Sequence, residues 1–163
     1  KTLELDGVKY GFIPDWSEFS TGEYIDIETY SKDVVNNAHK IMSILYRPIT
    51  REYNGAYEIE GYKGTEGANK FKDVGVGYYY GTLVFFFEYE KELRDDFAQV
   101  FGGGGESNAT QQEFSEKWSW YHFLITLAGD DVTKLEKVTH LPITQSLTHM
   151  AYLQDLKRLN DNV

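Results

Sequence analysis

The chain has 163 residues, a length that suits one domain with a hydrophobic core of its own. Hydrophobic residues make up 41% and charged residues 26%, which excludes a disordered polymer, and a net charge of −10 argues against nucleic acid or an anionic membrane as partner, since both need a basic face. There is no cysteine, so disulfides, zinc–thiolate centres and cysteine nucleophiles are excluded, an absence that fits an intracellular protein.

Aromatics reach 16%, a level that favours tight packing or adhesive surfaces. No signal peptide is read at the start. The longest uncharged run, Val74 to Phe87, is too short for a spanning helix of ~20 residues.

The first element in "TLELDGVKYGFI" is a hairpin. Leu3, Leu5, Val8, Tyr10 and Phe12 alternate around Asp6-Gly7, a pair suited to a type I′ turn because both central residues need positive φ. Pro14 stops the pairing. "DWSEFSTGEYIDIETYS" fits neither period and reads as a short helix or an irregular segment. In "SKDVVNNAHKIMSILYRP" a helix is expected, with Ser31 as N-cap and Pro48 closing it. Its apolar stripe combines Val34, Ala38, Ile41 and Leu45 with Val35, Met42 and Tyr46. Asn54-Gly55 marks a turn, Tyr57 and Ile59 an extended piece, and "ANKFKDV" a helical turn.

Residues 77–90 are ambiguous, because the runs YYY and TLVFFFEYE have strand propensity while Leu83, Phe86, Phe87, Glu90, Leu93, Phe97 and Val100 follow a helix face. One long helix is the expectation. The glycine-rich stretch 102–108 reads as a flexible loop that separates a C-terminal helical unit, 109–160, inside a single domain of residues 1–163. There, "TQQEFSEKWSWYHFLITLAG" places Phe114, Trp118, Tyr121, Leu124, Ile125 and Ala128 on one buried face, with Gly129 as C-cap. Trp118 and Trp120 point about 200° apart on a helix, so Trp120 is the interface candidate. Asp130 or Asp131 caps the next helix, and Pro142 opens the last one, whose buried side is Ile143, Leu147, Met150, Ala151 and Leu153. The fold class expected is mainly α, a helical domain with a small N-terminal β-hairpin.

The residues name no reaction. His39, His122, His140 and His149 lack the HExxH spacing of a zinc helix, and the expected metal and cofactor complement is none. Gly75, Gly77 and Gly81 match neither a P-loop nor a dinucleotide fingerprint. Asp26, Glu28 and Asp33 form no calcium-loop pattern and read as a solvated acidic face, and the aspartates at 130–131 read as helix caps. A small acid-dependent hydrolase using Asp26, Glu28 or Asp131 is the enzymatic alternative. It requires carboxylates converging in a concave pocket with raised pKa values. An acidic DNA-mimic inhibitor is another, requiring carboxylates at phosphate-like spacing.

Three stretches carry a resemblance: "HKIMSILYRPI", the Ile-Glu-x-Tyr-x-Gly-Thr segment in "GAYEIEGYKGT", and "WSWYHFLITLAGDDVTKLEKVTHLPITQSLTHMAYLQDLKR". Their order is similar to small proteins encoded among the tail-morphogenesis genes of tailed bacteriophages, including those infecting Bacteroidetes hosts. The resemblance spans residues 20–160, and its motifs are packing motifs. It implies a non-enzymatic role by protein–protein contact, as a tail assembly chaperone for the tape-measure protein, or else as a minor virion component of the tail or connector. Phage tail or tape-measure proteins are then the partners, with the host cytoplasm during assembly, or the virion, as location. Nucleic acid and membrane are not expected partners, and self-association is compatible with the aromatic content. Tyr46, Arg47 and Pro48, where a helix is expected to stop, join Trp120 as candidate partner-binding residues.

Overall fold

The computed structural model describes residues 2–102 and 108–161. The architecture is mainly α, with an antiparallel sheet in the N-terminal half. The expected loop at 102–108 lies, apart from its ends, outside the described residues. Contacts divide the chain into two compact units, Lys1–Phe19 with Glu23–Glu88, and Ser20–Gly22 with Tyr89–Val163.

In the first unit, strands β1 (Thr2–Leu5) and β2 (Val8–Phe12) form the expected hairpin, with Asp6 at φ 51° and Gly7 at φ 75°. The sheet extends further than one hairpin: β3 (Tyr46–Tyr53) and β4 (Ala56–Ile59) complete the antiparallel order β1-β2-β3-β4. A second positive-φ pair, Asn54 at 47° and Gly55 at 81°, turns β3 into β4.

This corrects the reading of "LYRPI" as a helix end. Helix α2 (Val34–Leu45) passes directly into β3, and Tyr46 already has φ −114° and ψ 116°. Pro48 keeps the helix from resuming, because it holds Arg47 out of the α region. The register then places Tyr46 opposite Phe12, Arg47 opposite Gly11 and Pro48 opposite Tyr10. Gly11 is required there, since a Cβ would stand 2.4 Å from the Tyr57 ring. That ring crosses the strand to donate its hydroxyl to the Phe12 carbonyl at 2.8 Å.

Two further expectations for α2 change. Asp33, not Ser31, is the N-cap and accepts from the Asn36 amide, because Ser31 ends the preceding helix α1 (Thr21–Ser31). Val35 is 91% exposed and leaves the stripe, whereas Ile41, Met42 and Leu45 are buried as expected and Ile44 joins them. Around them Phe19, Tyr24, Ile27, Phe71 and Phe86 complete the first unit's core, and Phe71 ends the expected helical turn Ala68–Phe71.

Residues 76–96 form one helix, α3 (Val76–Asp96), followed after Phe97 by the short α4 (Ala98–Phe101). Helical period therefore outweighs the strand propensity of its aromatic front. Thr82, Phe86 and Leu93 are the buried positions, while Phe87, expected inside, is 41% exposed.

In the second unit, α5 (Ala109–Leu127) starts with a capping box. Asn108 accepts from the Gln111 amide at 2.9 Å, and the Gln111 side chain accepts from the Asn108 amide at 3.1 Å. The helix closes at Gly129 (φ 66°), where Gly129 N–H bonds Thr126 O and Asp130 N–H bonds Ile125 O, the paired bonds of a Schellman motif. Asp131 then caps a 3-10 turn (Val132–Lys134) that leads into α6 (Leu135–Thr139). Pro142 precedes α7 (Ile143–Asp161) as expected.

The face of α5 is corrected. Phe114, Trp118 and Tyr121 are 60%, 41% and 46% exposed and Phe123 is the buried residue of the helix, while Ala128 at its C-cap is buried as expected. In α7, Ile143 and Leu147 are buried as expected, and Ser146 joins them. Its hydroxyl lies 2.7 Å from that of Thr21, which also donates to the Leu141 carbonyl at 2.9 Å.

Candidate functional site

Three of the four candidate residues, Tyr46, Arg47 and Pro48, line one cleft of about 120 Å³ in the first unit. They reach it from a strand, not a helix end. The segment Glu60–Gly64, part of the Ile-Glu-x-Tyr-x-Gly-Thr stretch, lines it too, as do Lys70 and Phe71. Tyr10 from β2 and Ser43 from α2 also line it. The Tyr10 and Phe71 rings meet edge to face with centroids 5.4 Å apart.

Arg47 is the central charge. Its guanidinium lies 2.9 Å from Glu23, and the two side chains retain only 14% and 4% of their exposure. Burial pulls the arginine pKa below its ordinary value, and the Glu23 carboxylate opposes that pull. Arg47 Nε is buried with no hydrogen-bond acceptor. Tyr46 is 2% exposed, which leaves its ring in the core while part of it faces the cleft. Its hydroxyl pKa is raised, first by burial.

Around this pair the hydroxyls are ordered by carboxylates and cations. Tyr62 donates to Asp26 at 2.5 Å, and burial followed by that bond raises its pKa. Tyr30 and Thr65 hydroxyls meet at 3.1 Å. Lys63 pairs with Glu60. Lys70 donates to the Tyr10 hydroxyl at 2.7 Å, with its ammonium 5.1 Å from the ring centroid.

Trp120 belongs to the second unit, half-buried, with its ring edge to face on Phe123 at 5.4 Å. The more exposed tryptophan is Trp118, which meets Tyr121 at 5.8 Å and carries the Lys117 ammonium 5.1 Å from its ring centroid. Phe114, Trp118 and Tyr121 follow a 4-then-3 spacing, and residues 109–119 of α5 are all exposed. In α7, Tyr152, Leu156 and Leu159 repeat that spacing and are also exposed.

The other candidates are placed as follows. Asp26 accepts from Tyr62, and Asp131 is an N-cap whose pKa falls to about 2, through its bonds to Thr133 and then Lys134. Asp33 caps α2. The carboxylate in the cleft lining is Glu60, which the acid-based reading of the sequence did not single out. Among the described residues no group of three or more histidines, aspartates or glutamates is arranged to hold a metal. No described helix is long and apolar enough to cross a membrane.

Sequence reasoning missed Glu23, Lys70 and Tyr10. No local signal marks them, because the cleft joins β2 and the helical turn Ala68–Phe71 to Arg47, and Glu23 of α1 reaches it only through its ion pair with Arg47. Compared with known proteins, the chain matches no family model, no curated protein and no solved structure.

Proposed function

We propose that the protein acts by protein–protein contact in the assembly of a tailed-phage particle, as a chaperone that holds a helical segment of the tape-measure protein in the host cytoplasm. The carrying observation is the exposed seam Phe114–Trp118–Tyr121 on a helix stretch whose residues 109–119 are all exposed. A solvated helix of that length is marginal in water, and its aromatic side chains gain from being covered. The 4-then-3 spacing is that of a helix-pairing face, which an amphipathic client helix matches. A net charge of −10 favours a basic client.

The test is co-expression with the adjacent tape-measure protein, followed by pull-down and mass spectrometry of purified particles. The chaperone reading expects a complex, its loss in Phe114→Ser/Trp118→Ser, and absence from mature virions. Recovery in virions without a tape-measure complex favours a minor structural component. A homo-oligomer that the same double substitution dissolves assigns the seam to self-association. Neither complex nor oligomer removes the contact reading.

A further inference from the structure

We infer that the Arg47 cleft is a binding site for a small oxyanion, a phosphate or a carboxylate, held by Lys70, Tyr10 and Arg47. The inference concerns the first unit and does not depend on the seam of α5.

The charge of the lining runs against that of the chain. Arg47, Lys63 and Lys70 face the cleft with Glu60 as the carboxylate, whereas the whole protein carries 26 acidic and 16 basic residues. Glu60 is engaged by Lys63, and Arg47 by Glu23. No ion pair of the described residues includes Lys70, whose partner is the Tyr10 hydroxyl.

The donor census points the same way. An ammonium only donates, so in the Lys70–Tyr10 bond the tyrosine oxygen is the acceptor and its own proton remains to be given. Lys70 keeps further N–H groups, and Arg47 adds a second cation to the lining. Ser43 already donates to the Lys40 carbonyl and Tyr62 to Asp26. The charged side chains of the lining are thus three cations to one carboxylate, a balance that suits an anion better than a cation.

Size sets the class of ligand. About 120 Å³ exceeds the ~10–15 Å³ needed by one water and falls below the ~300 Å³ where drug-sized pockets begin. A phosphate or a short carboxylate fits that range. Tyr10, Tyr46 and Phe71 in the lining add aromatic surface for the body of an aryl carboxylate.

The experiment is an NMR amide titration of the full chain with inorganic phosphate and, separately, benzoate, at ionic strength held constant with chloride. Saturable shifts at Gly61, Gly64 and Gly67 are expected. Lys70→Met should weaken binding about tenfold, the loss of one charge-assisted hydrogen bond. Tyr10→Phe keeps the ring packing on Phe71 and should weaken binding several-fold. Saturation by one probe alone identifies the oxyanion type and supports the site. No saturation by either probe overturns the inference, as does unchanged binding in both variants.

Discussion

Glu23→Ala removes one partner of the ion pair on which the cleft is built. Glu23 is 4% exposed and its carboxylate stands 2.9 Å from Arg47, itself 14% exposed. Two unit charges attract by about 4 kcal/mol at 4 Å and an effective dielectric of ~20, and desolvation of each ion costs several kcal/mol. The intact pair is therefore close to break-even, whereas the alanine variant leaves a guanidinium buried without its counter-charge. The expected loss is about 3–5 kcal/mol for the single variant. Replacing both residues, in Glu23→Leu/Arg47→Met, should cost less than either single change, because neither charge is left stranded. The assay is urea unfolding in a Trp118→Phe/Trp120→Phe background, so that Trp16, which packs on Phe12 and Phe19, reports the unit holding the pair. Single changes each below about 1 kcal/mol, the range of surface pairs, would refute the reasoning. So would a double variant that costs the sum of its singles.

Other outcomes follow from local geometry. Gly81 lies inside α3 with nothing within 4 Å of a built Cβ, so Gly81→Ala should raise stability by about 0.5–1 kcal/mol through lower chain entropy, measured by the same unfolding. A decrease would mean that the position is not helical or not open. Asn108→Ala breaks the capping box of α5 and should cost about 1 kcal/mol of stability, with increased amide exchange at Gln111 and Gln112. Asp131 has its carboxyl pKa held at about 2, below the ordinary 3.8. A depressed pKa stabilises the fold above the unfolded value, and that contribution fades as pH falls through about 2. A carbon-detected titration should find the low midpoint, and Thr133→Val should raise it. An ordinary midpoint in the unaltered protein contradicts the hydrogen-bonded cap.

Features set by neighbouring residues were legible in the chain. Asp6-Gly7 and Asn54-Gly55 specify their turns because few residue types tolerate paired positive φ. Gly129, Asp131 and Pro142 mark helix ends and starts for equally local reasons, since each satisfies or removes a backbone hydrogen bond within a few positions. Helical period over α3 was stronger than the strand propensity of its aromatic front, because a face repeated along the whole helix outweighs a few side-chain preferences.

Tertiary structure decided what depends on distant partners. Tyr46–Tyr53 is a strand because Phe12, Gly11 and Tyr10 stand opposite its first residues, far away in sequence. α5 carries aromatic residues on more than one side, so its pattern did not say which side would be covered. Packing buried Phe123 and left Phe114, Trp118 and Tyr121 outside. The cleft is the furthest from local reading, since Tyr10, Arg47, Tyr62 and Lys70 come from separate parts of the chain. By itself the sequence determined where the backbone turns, caps and repeats, because those rest on bonds between near neighbours; the sheet partners, the covered helix face and the charged cleft arose only when folding brought separated residues within hydrogen-bonding distance.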